Sequence, residues 1–425
     1  MPEPPQSLPS ASLARHEIAR IELGSTVVTR ATVRFLLAAF LAAVAVVPAI
    51  EWAGVSAVID ERVAAFESPP ATAGLWQRTV AVNRSLLAGF TAFERALEHE
   101  SRLGRLLRPH AQAVLTGWLG AGNERVYPGR GGWLFFRTDV EYLTGPGFLD
   151  PSEHRRRVAA APEWETPPQP DPRLAIVPFA RDLEARGIAL VVVPVPLKPA
   201  VHPEQLSSRY EDASAMLHNP SFDELVEHLR RERVLVFDVA RALAGSGPRY
   251  LETDTHWRPE AMERVAGQLS AFIEANIGLP AGSGPAYRIE RVEVSNLGDT
   301  ARMLDLSGDS RLFPSETVWL QRVLGPDGSL WRSSRDADVL LLGDSFSNIY
   351  SLESMGWGTS AGFGEQLSYA LGRPIDRLLQ NDAGAWTTRA MLQDDPGRLD
   401  GKRIVVYQFA ERELAFGDWK VPPPR

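Results

Sequence analysis

Cysteine is absent from all 425 residues. Thiolate catalysis, disulfide stapling and cysteine-ligated metal centres are therefore excluded. The absence suits an oxidising compartment, where a free thiol is a liability. A positive balance is missing too: 45 lysines and arginines face 53 aspartates and glutamates, a formal charge of -8. A nucleic-acid binder needs a basic surface to meet phosphate, so the balance argues against that class. No Walker or dinucleotide fingerprint occurs, and no internal repeat. What remains is ordinary globular composition, 44% hydrophobic and 23% charged, enough to build a large core.

Long apolar runs are scarce. The uncharged one, Phe35 to Ile50, follows Arg15, Arg20, Arg30 and Arg34 and precedes Glu51. A bilayer span needs about 20 apolar residues, which the run reaches if it starts at Ala31 and Arg34 snorkels to the headgroups. The arginines on its N-terminal side put the tail in the cytoplasm and the rest outside. The expected organisation is a cytoplasmic tail over 1–30, an uncleaved signal anchor over 31–52, a helical linker over 53–120 that packs on the domain, and a domain over 121–425 outside the membrane. A cleaved signal peptide is the rival, weakened by the long leader and the poor site at Val55-Ser56-Ala57.

Beyond the linker the pattern is α/β. A glycine turn and an apolar strand fall over Val126–Phe136, and a proline-rich exposed loop over Pro162–Pro172. Strands are expected at Ile188–Val195, Leu235–Asp238, Asp338–Leu342 and Arg403–Gln408. Helices are expected at Phe179–Arg186, Ser221–Arg231, Pro259–Ile277 and Gly364–Leu371, while 280–335 looks irregular. Strands alternating with helices imply a mostly parallel sheet flanked by helices, with sites at the strands' carboxyl ends.

Two features carry chemistry. Ser345 follows the buried strand through Gly343-Asp344, where a nucleophile needs to stand: an exposed hydroxyl on a rigid turn near backbone N–H groups. Gly-Asp-Ser is also a common turn, and Gly308-Asp309-Ser310 is a second copy with no buried strand before it. The other feature is Asp254-Thr255-His256-Trp257. In extended chain Asp254 and His256 point the same way, so the carboxylate reaches Nδ1 and leaves Nε2 for a hydroxyl. Asp254 or Thr255 as cap of the helix at Pro259 is an alternative. So is a zinc site, although no third ligand follows at a recognisable spacing. His202, in His202-Pro203-Glu204, reads as structural.

With these residues the chain resembles the alginate O-acetyltransferase family of periplasmic, SGNH-hydrolase-like enzymes. The matching pieces are Gly129-Arg130-Gly131-Gly132-Trp133-Leu134-Phe135, the run Val193–Pro199, Asp254–Trp257, Leu342–Phe346 and Phe409–Leu414. The resemblance implies a circularly permuted SGNH fold, because Asp and His precede the serine here. It also implies a catalytic triad of Ser345, His256 and Asp254 that forms an acetyl-serine, with no cofactor and no metal. Asn348, Asn381 and Gly384 are candidate oxyanion donors, and Arg412 is a candidate cleft residue or a surface ion pair. The implied partners are a polysaccharide acceptor, alginate or similar, a polytopic membrane acyltransferase as acetyl donor, and the bacterial inner membrane, with the domain over 121–425 in the periplasm. Trp133, Trp257, Trp357 and Trp386 are candidate sugar platforms. A carbohydrate acetylesterase and a non-catalytic secretion subunit are the competing functions.

Overall fold

The computed structural model describes residues 29–42, 44–45, 74–162, 166–211, 216–279, 286–307, 310–381 and 384–421. The chain divides into two units, 1–107 and 108–425. In the first, residues 30–42 and 44–45 are helical, and the remainder of the expected anchor lies outside the described residues. Among the described residues no helix is long and apolar enough to cross a membrane. Helix α1 (Leu75–Glu100) follows, and α2 (Arg102–Leu119) runs across the division between the units.

Helix α2 is not oriented as an apolar stripe on a core predicts. Its Gln112 and Thr116 are the buried pair, bonded to the Gly122 and Ala121 carbonyls. Leu115, Trp118 and Leu119 stay exposed, Trp118 at 86%.

The second unit is organised by a five-stranded parallel sheet in the order β4-β3-β9-β7-β8. Its members are β3 (Ala189–Val195), β4 (Leu235–Val236), β7 (Val339–Gly343), β8 (Asp376–Leu379) and β9 (Ile404–Ala410). Every residue of β7 and β9 is buried, as strands covered on both faces require. Helices α4 (Arg173–Ala185), α5 (Phe222–Arg231), α6 (Pro259–Ile277), α9 (Phe363–Leu371) and α10 (Gly384–Asp394) pack around the sheet. Helix α6 begins with proline in its first turn and ends at Gly278, left-handed at φ 67°. Its N-cap is Arg258, without a side-chain bond, so neither Asp254 nor Thr255 caps it.

Two small sheets complete the unit. The expected apolar strand is β2 (Leu134–Phe136), and across the glycine turn it pairs with a strand that was not expected, β1 (Val126–Pro128); α3 (Arg137–Thr144) follows directly. Residues 280–335 are more regular than expected. They hold the long antiparallel pair β5 (Arg288–Asn296) and β6 (Glu316–Leu324), with the short helix α7 (Asp299–Met303) in the excursion between them. Helix α4 starts six residues earlier than expected, with Pro178 inside it. The proline-rich loop ends in a buried turn at Asp171.

Parallel strands place their carboxyl ends on one edge, and three of the five chain segments that leave the sheet there matter most for the site. β7 runs into Asp344 and the short helix α8 (Ser345–Asn348), β8 into Gln380-Asn381, and β9 into Glu411 and α11 (Arg412–Phe416).

Candidate active site

The turn that presents Ser345 is fixed from behind. Asp344 Oδ1 accepts bonds from the Phe346 N–H (2.9 Å) and from Gln408 Nε2 (2.7 Å), and Oδ2 accepts from the Ala410 N–H (2.7 Å). One carboxylate thus caps α8 and ties it to β9. A Cβ at residue 343 would lie 2.6 Å from Ser347 Oγ and 2.8 Å from Gln408 Oε1, so only glycine lets the turn come this close to β9. Ser345 emerges half-buried at the first position of α8 and lines a cavity.

Asp254 and His256 reach that cavity from the segment before α6. Lys198, just past β3, is wholly buried, and its ammonium donates to the carbonyls of Leu134 (2.6 Å), Glu252 (2.9 Å) and Asp254 (2.7 Å). Three bonds to a charged donor stitch the segment to the sheet edge and to β2. From the other side the Trp257 indole donates to the Phe346 carbonyl (3.1 Å), and the Tyr350 hydroxyl donates to the Trp257 carbonyl (2.6 Å). The histidine segment and the serine helix are therefore locked to each other.

Within this frame Asp254 Oδ1 stands 2.6 Å from His256 Nδ1. Its Oδ2 accepts from the Trp357 indole (2.9 Å) and from the Asp299 N–H (3.0 Å). Burial resists ionisation of Asp254, but the bond and charge of His256 and the two N–H donors outweigh it and hold its pKa well below the usual range. Burial likewise resists the imidazolium, and Asp254's bond and charge, with Asp299's charge, overcome it and raise the His256 pKa. The other ring nitrogen, Nε2, is buried and has no hydrogen-bond partner among the described residues. Leaving such a group unpaired costs about 1–3 kcal/mol, so an unpaired ring nitrogen beside a cavity reads as reserved for a ligand. His256 and Ser345 line the same cavity of about 780 Å³, and the imidazole packs 4.8 Å from the ring of Phe346, the residue after the serine.

The other expected residues divide. Asn381 lines the cavity, whereas Asn348 spends its amide donating to Asn381 Oδ1 (2.8 Å) and so orients it. Gly384 opens α10, immediately after residues 382–383, which lie outside the described residues. Arg412 is no surface ion pair. It lines the cavity, packs over the rings of Phe136 and Phe346, and donates to Asp139 Oδ1 (2.7 Å) on α3. Asp139 is completely buried and its pKa is raised, because burial outweighs the Arg412 contact.

Two expectations are corrected. Trp257 and Trp357 are fully buried, and Trp133 is 7% exposed, so none of the three offers a sugar a free ring face; Trp386 is half-buried on α10 and outside the cavity lining. A third carboxylate does join Asp254 and His256, from far along the chain: Asp299, with a ligand atom of each within 4.8 Å of the others. Its oxygens, like those of Asp254, are occupied by donors, Oδ1 by the Thr255 N–H (2.8 Å) and Oδ2 by the Thr255 hydroxyl (2.5 Å). A metal also needs a lone pair on Nδ1, and the close Asp254 contact marks that nitrogen as the proton donor instead. The second Gly-Asp-Ser copy lies outside the described residues except for Ser310. His202 is structural as expected: its Nε2 accepts from the Arg249 N–H (2.9 Å), and its ring stacks on Trp133.

Sheet and site together define an α/β protein of the SGNH-hydrolase type, with a serine after one central strand and an Asp-His pair delivered to the same edge. Residues 126–411 match the family model described as "SGNH hydrolase-like domain, acetyltransferase AlgX", and the chain belongs to that family. Over 315 residues it is 26% identical to the "Probable alginate O-acetylase AlgJ" of Pseudomonas aeruginosa, covering 69% of this chain and 71% of that one. The AlgJ of Azotobacter vinelandii is 26% identical over 341 residues, covering 76% and 78%. The solved O-acetyltransferase domain of Pseudomonas putida AlgJ shares the fold, with a TM-score of 0.52 at 22% identity, covering 69% of this chain and 92% of that one.

Proposed function

We propose that this chain is a serine O-acyltransferase that moves acetyl groups onto hydroxyls of a bacterial exopolysaccharide. The observation that carries the reading is the Asp254-His256 pair, with Nε2 unpaired, sharing one cavity with Ser345. A serine hydroxyl is a weak nucleophile until a base takes its proton, and the base needs an orienting acid. In the first half-reaction Ser345 Oγ bonds to the acetyl carbonyl carbon while its proton passes to Nε2. The carbonyl bond to the donor then breaks, and the leaving oxygen takes that proton. In the second half a sugar hydroxyl gives its proton to Nε2 and attacks, the acyl–Oγ bond breaks, and Oγ recovers the proton. Asp254 holds the imidazole throughout.

The oxyanion donors in this reading are the Ser345 N–H and the Asn381 side-chain amide, which Asn348 orients. Gly384 is the remaining backbone candidate. Arg412, fixed by Asp139, faces the acceptor. The AlgJ relatives, named as probable alginate O-acetylases, support the acetyl group and a polysaccharide of that kind. The reading extends to the membrane: residues 1–30 as a cytoplasmic tail, 31–52 as anchor, 53–120 as linker and 121–425 in the periplasm, with a polytopic acyltransferase delivering acetyl. The uncharged run Phe35 to Ile50 behind four arginines supports that placement.

Transfer and hydrolysis differ only in whether sugar or water attacks the acyl-enzyme. The test is to incubate the full chain with an activated acetyl ester and oligosaccharides of candidate polymers, then weigh the sugars. Acetylated oligosaccharide from wild type and none from Ser345→Ala supports transfer. Free acetate alone makes the protein an esterase, and an unchanged Ser345→Ala rate removes the serine from the chemistry.

A further inference from the structure

The proposed mechanism leaves one carboxylate beside the imidazole unused. Asp299 opens α7, in the excursion between β5 and β6, and interlocks with the histidine segment through its backbone and side chain together. Its N–H donates to Asp254 Oδ2 (3.0 Å), its Oδ1 accepts from the Thr255 N–H (2.8 Å), and its Oδ2 accepts from the Thr255 hydroxyl (2.5 Å). The contact is built in by the chain. A Cβ on the preceding Gly298 would lie 2.0 Å from the Thr253 carbonyl oxygen, and the Ala301 N–H donates to that same oxygen (3.2 Å).

On the imidazole side, Nδ1 meets three oxygens: Asp254 Oδ1 at 2.6 Å, Thr255 Oγ at 3.2 Å and Asp299 Oδ2 at 3.6 Å. The Thr255 hydroxyl has one proton and gives it to Asp299, so toward Nδ1 it presents an acceptor. All three are therefore arranged to receive the Nδ1 proton or to stabilise a positive ring.

We propose that Asp299 is a second positioning carboxylate for His256, closing the Nδ1 side of the ring with Thr255 and adding a negative charge that makes Nε2 a stronger base. The inference rests on the acyltransfer reading above, in which Nε2 takes the Ser345 proton. Asp299 acts through the histidine and forms no bond with substrate. The charged groups around it are Asp254 and His256 on the facing segment, Lys198 past β3, Arg302 on its own helix and Arg412 past β9, the last two on the cavity wall. Burial and the neighbouring Asp254 oppose its ionisation and push its pKa up to about 6.

The test is the pH profile of kcat/KM for acetyl-ester cleavage by the purified full chain, compared with Asp299→Asn and Asp299→Glu. In wild type the acid limb should follow protonation of His256, held at higher pH by the Asp299 charge. Asp299→Asn removes that charge. Losing the charge lowers the His256 pKa, so the limb moves to lower pH, by about one unit for one charge at this separation under near-aqueous screening. The weaker base should also lower the plateau by about threefold. Asp299→Glu should return the limb toward its wild-type position. A uniform loss in Asp299→Asn at every pH, with the limb unmoved, makes Asp299 a structural residue and overturns the proposal. A wild-type His256 ring whose NMR titration lies no higher than that of a free histidine overturns it too, even if neither variant folds. Failure of the acyltransfer reading would be seen separately, as ester cleavage surviving in Ser345→Ala.

Discussion

Replacing Lys198 by Met tests how the histidine segment is held. The substitution keeps the unbranched length and removes the ammonium, so the carbonyls of Leu134, Glu252 and Asp254 each lose a donor now at 2.6–2.9 Å. A buried polar group stripped of its partner costs about 1–3 kcal/mol. Against that sum stands the several kcal/mol spent on desolvating a buried ammonium, which Met does not require. The expected net loss is about 2–4 kcal/mol, which lowers Tm by about 5–10 °C in a domain of this size. Activity should fall further than stability explains. With the Asp254 carbonyl released, the dyad loses its register with Ser345, and about 1 Å of misplacement costs about 10²-fold in rate.

The loss should also grow with pH. Burial lowers the Lys198 pKa from 10.5 to about 8. Between those values the unfolded chain binds a proton that the folded one does not, so this group's contribution to stability rises with pH. The gap between wild type and Lys198→Met should therefore widen from pH 8 to 10 and stay flat below 7. Thermal unfolding across pH and acetyl-ester cleavage at 25 °C read the two effects. A variant with lowered Tm but undiminished kcat refutes the positioning argument, and an unchanged Tm refutes the energetics.

Other outcomes follow from the same geometry. Gly298→Ala should cost several kcal/mol and most of the activity, because its Cβ meets the Thr253 carbonyl oxygen at 2.0 Å, and backbone on both sides leaves no room to yield; a wild-type Tm and rate contradict this. Glu411 is fully buried, neither carboxylate oxygen has a close hydrogen-bond partner among the described residues, and burial, only partly offset by the Tyr142 hydroxyl, raises its pKa to about 8. The folded state therefore holds a proton between about pH 4.5 and 8 that the unfolded state releases, and stability falls as pH rises through that window. Glu411→Gln should raise Tm at pH 8 and leave it unchanged at pH 4, and an equal shift at both would show that ionisation is not the cause. Asn348→Ala should lower kcat about tenfold or more with little change in KM, since it frees the Asn381 amide that the oxyanion reading relies on; a pure KM effect would place both asparagines with the acceptor instead.

The parts of this site that were legible from sequence are the parts the sheet dictates. Continuous apolar runs announced β3, β7 and β9, and the Gly-Asp-Ser after β7 could only emerge at a carboxyl edge. Asp254 and His256 were readable as a pair because two residues of extended chain bring their side chains together. The groups that hold them were not. Asp299 and Asp139 reach the site from 45 residues downstream of Asp254 and 273 upstream of Arg412, through contacts no local pattern encodes. The pair β5–β6 hid because Glu290-Arg291 breaks the alternation of β5, leaving no clean period-two signal. β8 hid because its four residues open with Asp376-Arg377, charges that turn out to be paired with Arg398 and Glu365. The tryptophans misled for a simpler reason: an indole suits a core as well as a sugar, and here Trp257 and Trp357 use their N–H groups to fix Phe346 and Asp254.

The most direct measurement is of the covalent intermediate. The full chain, mixed with an activated acetyl ester, quenched in acid within one turnover and digested, should yield the peptide carrying Ser345 heavier by one acetyl group. The same treatment should leave that peptide unmodified in Ser345→Ala, and in His256→Ala the acetylated peptide should build up far more slowly. Acetyl found on another residue, or on none while ester cleavage proceeds, contradicts the account.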